Sequence, residues 1–143
     1  MPVRAEISNK QSFEVIIQDA DGANRMIICT GKLDAVLFAN DNTASGNGVT
    51  QKETFKALID PPLEAGQFKR ALVVASFDDI EYRDSDPTQR DSVRWVIEEA
   101  QADFDDESGQ VELRVSLMLT VRGIGSSARF RSISFQVTTI AAV

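Results

Sequence analysis

The chain has 143 residues, 43% of them hydrophobic and 26% charged, which suits one globular domain over residues 1–143 and leaves little room for a second core. Its net charge of −7 argues against nucleic acid and anionic membrane as partners, since both are held by clustered Lys and Arg. It has no histidine and one cysteine, which removes Ser-His-Asp and Cys-His catalysis, zinc sites built on imidazole or several thiolates, and an internal disulfide.

The opening run MPVRAEISNK lacks the apolar stretch of a signal peptide, and no segment approaches the roughly 20 apolar residues of a spanning helix. The expected location is therefore the cytoplasm, or a particle assembled there. FEVIIQ, residues 13–18, sets Phe13, Val15 and Ile17 against Glu14, Ile16 and Gln18, and RMIICT, residues 25–30, is equally strand-like.

The six residues between these runs, 19–24, begin like a calcium loop, with Asp19, Asp21 and Gly22. An EF-hand loop needs oxygen ligands at positions one, three and five, glycine at six and glutamate at twelve. Here Ala23 stands at the fifth position, Thr30 at the twelfth, and glycine arrives at the fourth. The segment is expected to turn a hairpin instead, because Gly22 and Asn24 tolerate positive φ. Cys29 lies in the second run and reads as a small buried hydrophobe, with only Arg25 and Lys32 close enough in sequence to activate it.

KLDAVLFA, residues 32–39, fits either an extension of the second strand or a short helix. NDNTASGNGVTQK, residues 40–52, is almost wholly small or polar and reads as a mobile loop. ETFKALID, residues 53–60, is strand-like and ends at Pro61-Pro62, since proline cannot donate to a ladder. FKRALVVASFDDIEY, residues 68–82, is a long strand with an expected bulge at Asp78-Asp79. A polar connection, residues 83–91, follows.

SVRWVIEEAQADF, residues 92–104, fits a helix with Val93, Val96, Ile97, Ala100 and Phe104 on one face. It fits a strand with Val96, Ala100, Ala102 and Phe104 on one side. The next run decides between them. In VELRVSLMLTV, Val111, Leu113, Val115, Leu117, Leu119 and Val121 alternate without a break, and so long a strand wants a partner of equal length. GIGSSA, residues 123–128, is a turn, and RFRSISFQVTTI, residues 129–140, faces Ile133, Phe135 and Val137 inward. Residues 92–140 thus read as a three-stranded meander. The fold class expected is all-β, an antiparallel sandwich of seven or eight strands, with a closed β-barrel as the alternative.

Charge is unevenly spread. Residues 78–107 hold twelve acidic and three basic residues, whereas residues 113–143 hold four arginines and no acid. Arg114, Arg122, Arg129 and Arg131 on one side, with Asp78, Asp79, Glu98 and Glu99 on the other, are the candidates for a complementary interface between copies. Pairing within one chain is the plainer reading. Asp103, Asp105, Asp106 and Glu107 crowd one turn, and a carboxylate-only set suits Ca²⁺ or Mg²⁺, although solvated turn residues are the plainer reading. No GxGxxG, P-loop or GxSxG pattern occurs, and no cofactor is expected. The chain runs apolar to TTIAAV, which is either an inner strand or one offered to a neighbour.

Three functions follow in order. The first is a non-catalytic β domain that self-associates into a homo-oligomer as a structural or assembly subunit. The second is a small-ligand or carbohydrate-binding module, for which Trp95 and Tyr82 are the available rings. The third is a carboxylate-based, metal-assisted enzyme.

Overall fold

The computed structural model describes residues 2–20, 22–59, 61–84 and 91–143. Among them every regular element is a strand. In chain order these are β1 (Val3–Arg4), β2 (Ile7–Asp19), β3 (Gly22–Leu33), β4 (Leu37–Asn40), β5 (Val49–Ile59), β6 (Phe68–Arg83), β7 (Ser92–Asp105), β8 (Gln110–Arg122) and β9 (Ser127–Ala142). They build two packed sheets that do not close into a barrel. The four-stranded sheet runs β1-β5-β8-β7. In the five-stranded sheet β9 is central. Its stretch 133–142 pairs with β3 and its stretch 127–130 with β4, so β3 and β4 share one edge, and β6 takes the other from Phe68 to Arg83. β2 lies outside β3. No helix long and apolar enough to cross a membrane occurs among the described residues.

The core follows from period-two alternation. Every odd residue of β8 from Val111 to Val121 is buried, and it meets Phe130, Ile133, Phe135 and Val137 of β9 from the facing sheet. Cys29, Leu33, Leu37, Phe55, Ala57 and Ile59 complete it. At the open end a smaller cluster forms on Ile27, Leu63 and Ala141, with Phe68 and Phe104 stacked at 5.7 Å.

The sequence expectations need correction at several points. β7 and β8 pair as expected, but β9 belongs to the other sheet, so residues 92–140 are a hairpin followed by a crossover and not a meander. Inward-facing alternation is the same whether the next strand lies beside its predecessor or opposite it. The count rises to nine because β1 is only two residues long and because residues 34–36 separate β4 from β3. KLDAVLFA does extend the second strand, with that interruption. The hairpin at 19–24 is tighter than the loop expected: pairing reaches Gln18↔Ala23 and Asp19↔Gly22. Only Ala20 and Asp21 separate the strands, and Asp21 lies outside the described residues. The polar run 40–52 contributes Asn40 to β4 and residues 49–52 to β5.

Candidate interaction surface

The acidic turn is built as a turn. Asp105 ends β7 and accepts hydrogen bonds from the Ser108 hydroxyl at 2.6 Å and the Ser108 amide at 3.2 Å. The hydroxyl, more than any other donor, holds its carboxyl below the usual range. Asp103 accepts from the Phe104 amide at 2.8 Å. Asp106 and Glu107 are exposed. Among the described residues no three such side chains converge as a metal site would require.

The candidate interface charges are distributed over both sheets. Arg114 pairs with Glu112 on its own strand at 2.6 Å, and Glu98 with Lys52 at 3.6 Å, on the outer face of the four-stranded sheet. Glu99 joins them there, opposite Ser116, and Arg122 sits at the far end of that face, opposite Ser92. On the five-stranded sheet Arg131 reaches Glu81 at 2.7 Å and Arg129 reaches it at 3.9 Å, while Arg129 also lies over the Phe38 ring at 5.6 Å. Asp78 accepts from the Ser132 hydroxyl at 2.7 Å and pairs with Lys32 at 3.2 Å. These two partners, Ser132 first, depress its pKa. Asp79 is exposed beside it. Five of the eight candidates therefore have partners within their own chain, and arginine and acid do not collect on opposite faces.

A concavity of about 750 Å³ lies on the outer face of the four-stranded sheet, lined by Lys52, Thr54, Glu98, Glu99, Gln101 and Arg114 among others. Its wall is polar and of mixed sign. Trp95 and Tyr82 are not part of it; both pack against the core, and burial raises the Tyr82 phenol above its ordinary pKa.

The opposite outer face differs. Residues directly across an antiparallel pair share a face. One row crosses the five-stranded sheet as Phe13, Ile28, Thr138 and Leu72; the next as Val15, Met26, Ile140 and Arg70; a third ends in Val74. Phe13 is 56% exposed, and Leu72 and Val74 are 68% exposed. Of twelve large hydrophobic side chains exposed among the described residues, five, Phe13, Val15, Phe38, Leu72 and Val74, stand on the outer face of this sheet. Sequence reasoning missed it by setting Phe13, Val15 and Ile17 of FEVIIQ on one face and assigning no faces to the strand through ALVV. The available signal was that Ile16 and Val74 occupy positions where a half-solvated strand would carry a polar residue.

β2 is also an edge. It pairs with β3 on one side only, and from Gln11 to Asp19 its register is unbroken. Its one ionic group there with a described side chain, Glu14, is held by Arg25 of β3 through two bonds of 2.6 and 3.1 Å, and this contact lowers the Glu14 pKa. The chain matches no protein-family model, no curated protein and no solved structure.

Proposed function

We propose that this domain acts without catalysis, by self-association as a structural or assembly subunit. The supporting observation is the exposed apolar outer face of the five-stranded sheet, bordered by the edge strands β2 and β6. On that face Phe13 is 56% exposed, Val15 42%, and Leu72 and Val74 68% each, a concentration of large apolar side chains that suits an interaction surface.

The charge pattern takes a lesser part than the sequence implied. Its pairs form within one subunit, where exposed pairs contribute about 0–1 kcal/mol each. Sedimentation velocity over a hundredfold range of protein concentration tests the reading. The expected result is a species whose mass is a multiple of 15.7 kDa and whose share grows with concentration. A single 15.7 kDa species at every concentration would retire it.

A further inference from the structure

The structure points to a particular line of contact, and we propose that the edge of β2 from Gln11 to Asp19 pairs antiparallel with the same stretch of a second copy, about a two-fold axis at Val15. This rests on the self-association reading above and names its site. An edge strand presents a row of unpaired backbone N–H and C=O groups, and proteins ordinarily blunt such edges with charge, proline or bulges. Among the described residues the other long edges are each bulged, charged or partly covered. β6 has register breaks near Lys69, Asp78 and Asp79, and it packs against β7. β7 is bulged at Glu98 and carries Arg94, Glu98, Glu99, Gln101 and Asp103 outward. β5 is partly covered by β1 and bears Lys52, Glu53 and Lys56.

β2 has neither bulge nor proline over nine consecutive residues, and its one charge there with a described side chain, Glu14, is held by Arg25. Its bulge, at Asn9 with φ of 52°, falls before the stretch begins. Phe13 and Val15 are exposed on the outer face, and Ile16, 56% exposed, stands on the inner one between Glu14 and Gln18, so the outer side of the edge is apolar.

Symmetry and charge fix the register. With the axis normal to the sheet, only residues of equal parity face each other across a two-fold pair. An axis at Phe13 would run the pairing into the bulge, and one at Glu14 would oppose two like charges, which is destabilising. An axis at Val15 uses all nine residues. It sets Phe13 opposite Ile17 of the second copy, Val15 opposite Val15, and Glu14 opposite Ile16. Glu14 has its own Arg25, so no carboxylate is stranded. The two five-stranded sheets then continue as one.

Two substitutions on each edge test this. Val15→Lys puts two ammonium groups face to face at the axis, and it is expected to raise the concentration needed for association by about tenfold or more, whereas Leu72→Lys on β6 leaves it nearly unchanged. Circular dichroism verifies that each variant keeps its sheet. Should Val15→Lys fail to fold, Val15→Cys decides. Directly opposed Cα atoms in an antiparallel pair lie about 4.5–5.5 Å apart, within disulfide reach, so mild oxidation should yield a covalent dimer. Leu72→Cys should not yield one, and the native Cys29 is buried. An oligomer that is indifferent to Val15→Lys, or that cross-links through Leu72→Cys and not Val15→Cys, overturns the β2 contact and leaves self-association standing. A wild-type chain that stays monomeric overturns both.

Discussion

Asp41 is fully buried, yet it belongs to a connection of small polar residues. Its carboxylate accepts from the Thr43 amide and hydroxyl and, at 2.8 Å, from the Gly123 amide, while its own backbone bonds Ser126 and Gly125. One side chain thus ties the β4–β5 connection to the β8–β9 crossover. The Thr43 hydroxyl is the largest influence on its carboxyl, which sits below the usual range; the Gly123 amide assists and burial opposes. Glu14, Asp78 and Asp105 are depressed likewise by their own donors. Their contribution to stability is full above the unfolded carboxylate values of about 3.9–4.3 and is lost as pH falls through the lower folded values. The urea midpoint should therefore hold near neutrality and decline below about pH 4. Thr43→Val should lower the midpoint at pH 7 and shrink that acid-induced decline, because it removes the donor that favours ionised Asp41. Gly123 makes a second prediction at this scale. Its φ is 125°, and an added Cβ would overlap the Asp91 carboxylate, so Gly123→Ala should destabilise by about 1–3 kcal/mol in urea unfolding. No sequence pattern distinguishes Gly123 from the other glycines of its turn, since the constraint comes from Asp91, thirty-two positions earlier.

Strands are legible where alternation is unbroken and obscure where a bulge resets it. β8 has no register shift, and its six inward residues could be read directly from the sequence. Leu117→Ala on that strand should cost about 2–5 kcal/mol, while Met118→Ala, on the outward side, should stay within about 0.5 kcal/mol; chemical denaturation of the two variants measures the contrast. β7 was ambiguous for a physical reason. Val93, Trp95 and Ile97 face the core, Glu98 is the extra residue, and Ala100, Ala102 and Phe104 then face it with opposite parity. The reset mimics the spacing of a helix, and it puts Val96, expected inward, opposite Met118 on the outer face. β9 has a similar reset between Phe130 and Ile133, opposite the Asp78-Asp79 bulge that the acidic pair did signal. The apolar edge of β2 was written in FEVIIQ, but which edge of which sheet it would occupy depends on partners far along the chain.

Across the described strands, consecutive strands cross between sheets at five connections: β1 to β2, β4 to β5, β5 to β6, β6 to β7 and β8 to β9. Only β2–β3 and β7–β8 are hairpins closed by local pairing. A topology so dominated by distant partners should refold on the millisecond-to-second scale, and stopped-flow fluorescence of the single tryptophan, Trp95, would record it. Sheet membership was the part of the fold that sequence alone left open, because inward-facing residues do not announce which layer they fill. The apolar TTIAAV stretch is settled by geometry: through Ala142 it continues the middle strand of the five-stranded sheet, with Thr139 and Ala141 buried. A chain ending at Ser126 should accordingly lose cooperative unfolding altogether, as seen by circular dichroism, where loss of an edge strand would only fray the domain.

The place of β9 has a consequence for vectorial synthesis. Five partners of the two sheets, β2, β3, β4, β6 and the facing β8, leave the ribosome before the strand that organises them. Until residues 127–142 emerge, the β2–β3 hairpin has two bare edges in place of one, and β6 has no ladder. Such nascent strands are natural clients for holdase chaperones, and neighbouring chains on one polysome would meet while their pairing edges are still open.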